Sequence, residues 1–376
     1  MNKLFKILIA TAISITCIFS LGCKNGCKPF HFHKYDQQIK QEEFLKEKRS
    51  DALVIATQDR DHVDMCIRAL ELGYDVLLEK PITPIKEDLY RLLDAQKKYG
   101  GKVVVCHVLR YAPAFVKIKE LLDSGVIGKT VCIDWIEQVA YWHIAHSFVR
   151  GNWHSEQQTS PMILAKCSHD IDIISTIANS QARRVAAFGS LDHFTTDKLK
   201  YNHCSECPDQ ECPYRFKGEF VRMNEQEKAN PSEKHFDLCV YNDDKDVVDH
   251  EVLIIDFANG IKANFSLNLF SGVSKRVIDV CGTKAILHAD TSEECIKITY
   301  SDGKDPEIIE CKADNDSGHG GSDQRFLDDF VDCILNERPS TVDFNAGLAS
   351  TVIGNAAEES RLTNKVVEIA PEAYMI

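Results

Sequence analysis

Apolar residues along this chain fall into two textures. From Asp51 to His107 short continuous runs alternate with helical spacing. Asp51–Thr57 reads as a strand buried on both faces of a parallel sheet. His62, Met65, Cys66, Ala69 and Leu70 recur at helical intervals up to Gly73. A second strand, Asp75–Leu78, leads into Glu79-Lys80-Pro81. A helix over Lys86–Tyr99 closes at Gly100-Gly101, and a third strand covers Lys102–His107. This β-α-β-α-β order is half of a doubly wound domain. After a crossover at Arg110–Pro113 and a helix over Ala114–Asp123, the runs lengthen and alternate: Val131–Val139, Val252–Phe257, Ile261–Phe270 and Ser274–Val280. They predict a mostly antiparallel sheet. One helix, Ser168–Ile177, and a polar cysteine-bearing loop, His193–Glu233, lie between them. Helices over Asp323–Asn336 and Phe344–Thr363 end the chain. The expected fold class is α/β: an incomplete Rossmann-type domain (31–128), then an α+β domain with a large, open, mostly antiparallel sheet (129–376).

The first 30 residues have a texture of their own. Lys3 and Lys6 precede an apolar run, Ile7–Leu21, that closes at Gly22-Cys23. A basic start, a short apolar core and a cysteine match an export signal or lipid anchor. A buried first strand and helix is the competing reading. The 15 cysteines favour a reducing compartment, because Cys66, Cys106, Cys132, Cys167, Cys239 and Cys281 sit singly in apolar runs like small hydrophobes. Localisation stays open between the cytoplasm and a membrane-anchored or exported protein.

Composition narrows the partners. With 376 residues, 44% hydrophobic and 27% charged, the chain can bury two cores. A formal net charge of -13 argues against nucleic acid and suits a small, neutral or weakly charged substrate.

Four strings carry the chemistry. They are Asp51–Thr57 with Asp61-His62, Glu79-Lys80-Pro81, Cys167-Ser168-His169-Asp170-Ile171-Asp172, and Gly318-His319-Gly320-Gly321. In this order and spacing they resemble the Gfo/Idh/MocA oxidoreductases, the family of glucose–fructose oxidoreductase and inositol dehydrogenase. The resemblance runs from about residue 35 to the C-terminus. It implies NAD or NADP as cofactor, a carbohydrate, polyol or sugar acid as substrate, and a homo-oligomer joined through the open sheet. One departure is plain. The family opens with a strand and a Gly-x-Gly-x-x-Gly turn that brings backbone amides to the pyrophosphate. Here the N-terminal stretch offers only Gly22 and Gly26. The expectation is that the first β-α-β unit is replaced by the leader.

Residue by residue, the resemblance makes Lys80 the group that hydrogen-bonds the reacting hydroxyl. Its place after a strand and before a proline aims it at the carboxyl edge of the sheet, where ligands bind. His169 is implied as the proton acceptor, a role that suits its near-neutral pKa. Asp172, three residues on, shares a helix face with His169 and is a candidate to orient it, with a structural carboxylate the equal alternative. Lys166 stands near the position where many relatives carry an aspartate. A free cation there would favour an anionic sugar acid or altered chemistry, with a solvent-facing lysine the alternative. Thr57, Gln58, His62 and Glu79 are the implied cofactor contacts, with helix capping the alternative for Thr57. Tyr141, Trp142, His143, Arg150 and Trp153 offer stacking faces and donors for a sugar, or ordinary interface packing. His319 in its glycine-rich turn is a further candidate contact.

Cys204, Cys207 and Cys212 form a C-x-x-C-x-x-x-x-C cluster, with His193 and His203 nearby in sequence. Three thiolates and one imidazole would make a closed structural zinc site. A disulfide with one free thiol, an iron–sulfur ligand set and inert thiols fit the same spacing. Two further functional readings stand beside the dehydrogenase: a non-catalytic sugar-binding protein built on a decayed scaffold, and an NAD-dependent glycosidase.

Overall fold

A computed structural model describes residues 6–10, 31–34, 45–217, 237–242, 245–313 and 319–374. The first sheet is parallel, in the order β2-β1-β3-β4-β5. Its strands are β1 (Lys6–Ala10), β2 (His31–Lys34), β3 (Ala52–Ile55), β4 (Asp75–Leu78) and β5 (Val103–Val105). Lys6–Ala10, expected to open a leader, thus lies between β2 and β3, paired in parallel with both. The expectation of a lost first β-α-β unit is corrected: strands on both sides of residues 11–30 belong to the sheet. Residues 11–30 themselves lie outside the described set. Among the described residues no helix is long and apolar enough to cross a membrane.

The continuous apolar runs are explained by two-sided burial. Leu53, Ile55, Val76, Leu78, Val103 and Val105 face one way, with Val63, Cys66, Ala69 and Leu70 of α1 (His62–Glu71) and Leu89 and Leu92 of α2 (Lys86–Tyr99). Ala52, Leu77 and Val104 face the other way, against Phe326, Leu327 and Phe330 of the helix Ser322–Leu335. The period-two pleat sorts them. A helix from the far end of the chain therefore covers the first sheet, which the expected boundary at 128 does not allow for.

The second sheet has the order β13-β12-β11-β10-β6-β9-β8-β7-β14. Its strands are β6 (Thr130–Ala140), β7 (Ala182–Ser190), β8 (His250–Phe257), β9 (Lys262–Ser271), β10 (Lys275–Gly282), β11 (Ala285–Asp290), β12 (Cys295–Tyr300), β13 (Glu307–Glu310) and β14 (Val367–Glu368). β6 and β9 run parallel and the other pairs antiparallel. Ile133, Trp135, Leu253, Ile255, Phe265 and Ile278 point inward, while Ile136, Phe188, Val252 and Ile254 stay exposed on the opposite face. The helix Phe344–Thr363 joins the halves. A Cβ on Gly347 would lie 2.5 Å from Val105, and one on Gly354 would lie 2.3 Å from Leu164, so glycine permits both approaches.

Charge is buried beneath this sheet. Trp135 Nε1 donates to Asp170 Oδ1 at 2.8 Å. Arg276 donates to both oxygens of Asp170, at 2.7 and 3.1 Å, and to Glu137 Oε1 at 3.0 Å. Burial pushes Asp170 up to about 7, against Arg276 and with help from the Glu137 charge. Arg276 and Lys166 hold Glu137 low against its own burial. A second buried group surrounds Arg361, which bonds Glu358 at 2.6 Å and Glu156 at 3.3 Å. Glu251, on the inner face of β8, is raised to about 8 by burial, with Glu358 adding to the shift and Arg361 opposing it.

Two stability predictions follow from these charges. Removing one partner of a buried ion pair leaves the others uncompensated, so Arg276→Met should destabilise by about 3–5 kcal/mol in denaturant unfolding. Glu251 binds its proton more tightly folded than unfolded. Its contribution is complete at low pH and is lost as pH rises toward about 8. In thermal melts, Glu251→Gln should gain on the wild type steadily between about pH 5 and pH 8. A difference independent of pH would contradict this.

Candidate active site

The carboxyl ends of β3, β4 and β5 meet the start of the helix Ser168–Ala178. After β4, Glu79 and Lys80 enter a turn closed by Pro81. Lys80 Nζ donates to the Ala165 carbonyl at 2.7 Å, spanning from the first domain to the short helix Met162–Ala165 that precedes His169. The ammonium and the imidazole expected to share a cleft are brought together: Lys80 is the strongest of the positive groups that act on His169. Burial comes first among the causes, then Lys80, in pushing His169 well below the usual histidine value, with His107, His319 and Arg276 adding. The ring is neutral at physiological pH, the form a base requires. His169 Nδ1 is buried without a hydrogen-bond partner.

Two further imidazoles flank it. The His107 and His169 ring centroids are 5.8 Å apart, and those of His169 and His319 are 6.0 Å apart. His319 is steadied by Asp323, with Nδ1 at 2.8 Å from Oδ1. His107, at the end of β5, is 1% exposed and held down to about 4 by burial, with Asp172 opposing. Sequence reasoning placed it in a strand and gave it no role. Its signal is the same as for Lys80: a polar residue closing a parallel strand at the carboxyl edge.

Asp172 is corrected. Its carboxylate takes a two-pronged contact from Arg110, at 2.7 and 2.6 Å, and lies 3.9 Å from His107 Nε2. It serves His107 directly rather than His169. Lys166 is corrected too. Its ammonium bonds Glu137 Oε1 at 2.5 Å, so its charge is spent within the protein and does not select an anionic substrate.

At the end of β3, Gln58 Oε1 and Asp59 Oδ2 are buried without partners. Thr57 is buried and its hydroxyl makes only a long contact, 3.5 Å, to the Gln58 carbonyl, so it caps no helix. His62 is a clamp: Nδ1 lies 2.8 Å from the Pro81 carbonyl and Nε2 3.3 Å from that of Thr57. It shapes the edge without facing a ligand. Glu79 Oε2 accepts from the Lys80 amide at 3.3 Å.

The aromatic segment divides. Trp142 is 44% exposed and stacks on His143, with centroids 5.6 Å apart. Tyr141 packs edge-on to Tyr214. Trp153 donates to Asp59 Oδ1 at 3.2 Å and packs on Phe148, which makes it a brace between the domains. Arg150 is corrected: 1% exposed, it bonds the Leu238 and Tyr214 carbonyls and lies 3.3 Å from Cys204 Sγ. It pins the cysteine loop and touches no cleft. The zinc expectation is also corrected. Among the described residues no three of His, Cys, Asp and Glu are placed to hold a metal. His193 bonds Tyr214 Oη at 2.7 Å, and His203 lies 3.6 Å from Asp237. The Cys204 thiol is occupied by Arg150 and by the Phe216 amide, at 3.4 Å.

Comparison with known proteins agrees with this arrangement. Residues 15–107 match the profile "Oxidoreductase family, NAD-binding Rossmann fold", and residues 119–369 match "Oxidoreductase family, C-terminal alpha/beta domain". YteT of Bacillus subtilis (strain 168), a provisionally named oxidoreductase, is 25% identical over 316 residues, 77% of this chain and 73% of that protein. Inositol 2-dehydrogenase of Salmonella typhimurium (strain LT2) is 24% identical over 147 residues, covering 39% of this chain and 40% of the dehydrogenase. A levoglucosan dehydrogenase solved with NADH and L-sorbose shares the fold, with a TM-score of 0.67 at 16% identity over 91% of this chain and 84% of that one. With a Rossmann-type sheet, Lys80 acting on His169 at its carboxyl edge and family profiles matching both halves, the chain belongs to the Gfo/Idh/MocA oxidoreductase family.

Proposed function

We propose that the protein moves a hydride between a nicotinamide dinucleotide, NAD or NADP, and a carbinol carbon of a neutral sugar or polyol. The observation that carries this reading is the pairing of a cationic lysine with a neutral, partnerless imidazole across the domain seam. The described residues fit a dinucleotide. Gln58 Oε1 and Asp59 Oδ2 are buried polar atoms with no partner, at the edge where the fold places such ligands. Gln58 and Glu79 would hold the nicotinamide half. The nicotinamide ring supplies the hydride acceptor when bound. Lys80 gives up its bond to the Ala165 carbonyl and donates to the reacting hydroxyl, lowering its proton affinity. His169 takes the proton. His319, its ring centroid 6.0 Å from that of His169, is a further candidate substrate contact.

Support for a neutral substrate is the Lys166–Glu137 pair, which commits the Lys166 charge to the protein. The homo-oligomer belongs to the same reading. Phe188 and Val252 pair across β7 and β8, Ile254 is next on that face, and all three are exposed. An apolar stripe of this kind favours a second copy. Light scattering should then give at least twice the monomer mass, and Ile254→Lys should reduce it.

For the activity, the full chain is titrated with NAD and with NADP. Formation of reduced nicotinamide is then followed with myo-inositol and levoglucosan as probes. Binding of at least one dinucleotide and net reduction with a polyol are expected. Lys80→Ala should retain the fold and lose about 10²–10⁴ in turnover. A folded chain that binds neither dinucleotide would overturn the proposal.

A further inference from the structure

We infer that His107 is the positioning residue for His169: it accepts a hydrogen bond from His169 Nδ1–H and so leaves His169 Nε2 as the base. This rests on the dehydrogenase reading for its purpose, though not for its test.

The tautomer of His107 is fixed by its neighbours. Ser350 Oγ donates to the Gly347 carbonyl at 2.9 Å. Having spent its one proton there, that oxygen is an acceptor for His107 Nε2, 3.3 Å away. Asp172 Oδ1, 3.9 Å from the same nitrogen, also favours a proton on Nε2. Arg110 locks Asp172 in place with two bonds. The proton of the neutral ring is therefore on Nε2, and Nδ1 is a bare acceptor. It is buried and has no partner.

His169 Nδ1 is in the same condition, also buried without a partner. Two orphaned nitrogens on neighbouring rings are costly separately and satisfied together, if one carries the proton. Rings joined by N–H···N have centroids roughly 5 Å apart, from a bond of about 2.9 Å plus the two ring radii. The observed separation is 5.8 Å, edge-on at 79°. A shift of under about 1 Å closes the bond, within the range by which catalytic contacts tighten on ligand binding.

The electrostatic setting calls for such a partner. Lys80, after β4, then His107 in its charged form, His319, in its turn, and Arg276, on β10, all disfavour a positive His169, so His107 can serve it only as the neutral ring. When His169 Nε2 takes the hydroxyl proton, the new imidazolium needs an acceptor for its other N–H. His107 supplies it, oriented in turn by Asp172, which Arg110 fixes in place. His107 stays neutral, since burial keeps it down at about 4, so it orients and does not carry the proton away. The logic is that of an orienting group behind a catalytic imidazole.

The test uses histidine-ring ¹⁵N NMR on the full chain without dinucleotide, at neutral pH. His107 should appear as the Nε2–H tautomer and His169 as predominantly Nδ1–H. In His107→Phe the His169 signals should move toward the Nε2–H form. In His107→Asn, whose Oδ1 stands near the place of the lost Nδ1, they should stay near wild type. Should the phenylalanine variant fail to fold, Ser350→Ala frees the His107 tautomer and should move the His169 signals the same way. A wild-type His169 that is mainly Nε2–H, or one unmoved by His107→Phe in a chain with an unchanged melt, would overturn the inference. These readings are independent of dinucleotide binding, so loss of the dehydrogenase reading and loss of the His107 role are told apart. Once a turning-over substrate is in hand, His107→Phe should lower kcat about tenfold or more, with dinucleotide affinity unchanged.

Discussion

Everything at the site depends on one hydrogen bond between domains, from the Lys80 ammonium to the Ala165 carbonyl. It ties the carboxyl edge of the parallel sheet to the backbone just before the helix that carries His169. The bond is strong enough to hold a half-buried cation and weak enough to be exchanged. A charged donor on a neutral carbonyl gains less than it would on a carboxylate. Had the acceptor been a carboxylate, the lysine would be committed to the protein, as Lys166 is to Glu137. The carbonyl keeps Lys80 in place while leaving its charge available to a hydroxyl.

The scaffold around that bond is built to resist movement. Gly347 and Gly354 let one helix press against Val105 of the first sheet and Leu164 of the second domain. Trp153 and Arg60 brace the same seam from the other side, through Asp59 and the Glu156 carbonyl. Beneath His169, Asp170 is gripped by Trp135 and Arg276. On the proposed reading, a pair drawn from two domains is only as well placed as the seam is stiff.

How far the sequence could show this varies by element. The buried parallel strands, the alternating second sheet and the Lys80–His169 pairing were legible, because each leaves a local trace: a run, a period or a short motif. Lys6–Ala10 was not, since an apolar run next to lysines reads equally as a leader or a strand, and only its pairing with His31–Lys34 and Ala52–Ile55 decides. Asp172 shows the limit of helix-face reasoning. Its spacing from His169 was right, but its carboxylate turns to Arg110, which lies 62 positions away in the chain. Arg150 and Cys204 mislead for a similar reason. Residue types typical of binding sites satisfy each other in the core, and nothing in composition separates the two uses.

The charges around the cleft can be weighed together. Lys166 and Arg276 are matched by Glu137 and Asp170, and Arg110 is matched by Asp172. Among the described residues Lys80 bonds a neutral carbonyl instead of a carboxylate. On the proposed reaction that cation would favour loss of the hydroxyl proton, and it helps to keep His169 neutral. The same field then opposes the imidazolium that results. An imidazolium formed in such a field needs an oriented acceptor for its other N–H; on the inference above His107 is that acceptor, held by Asp172, which Arg110 in turn fixes.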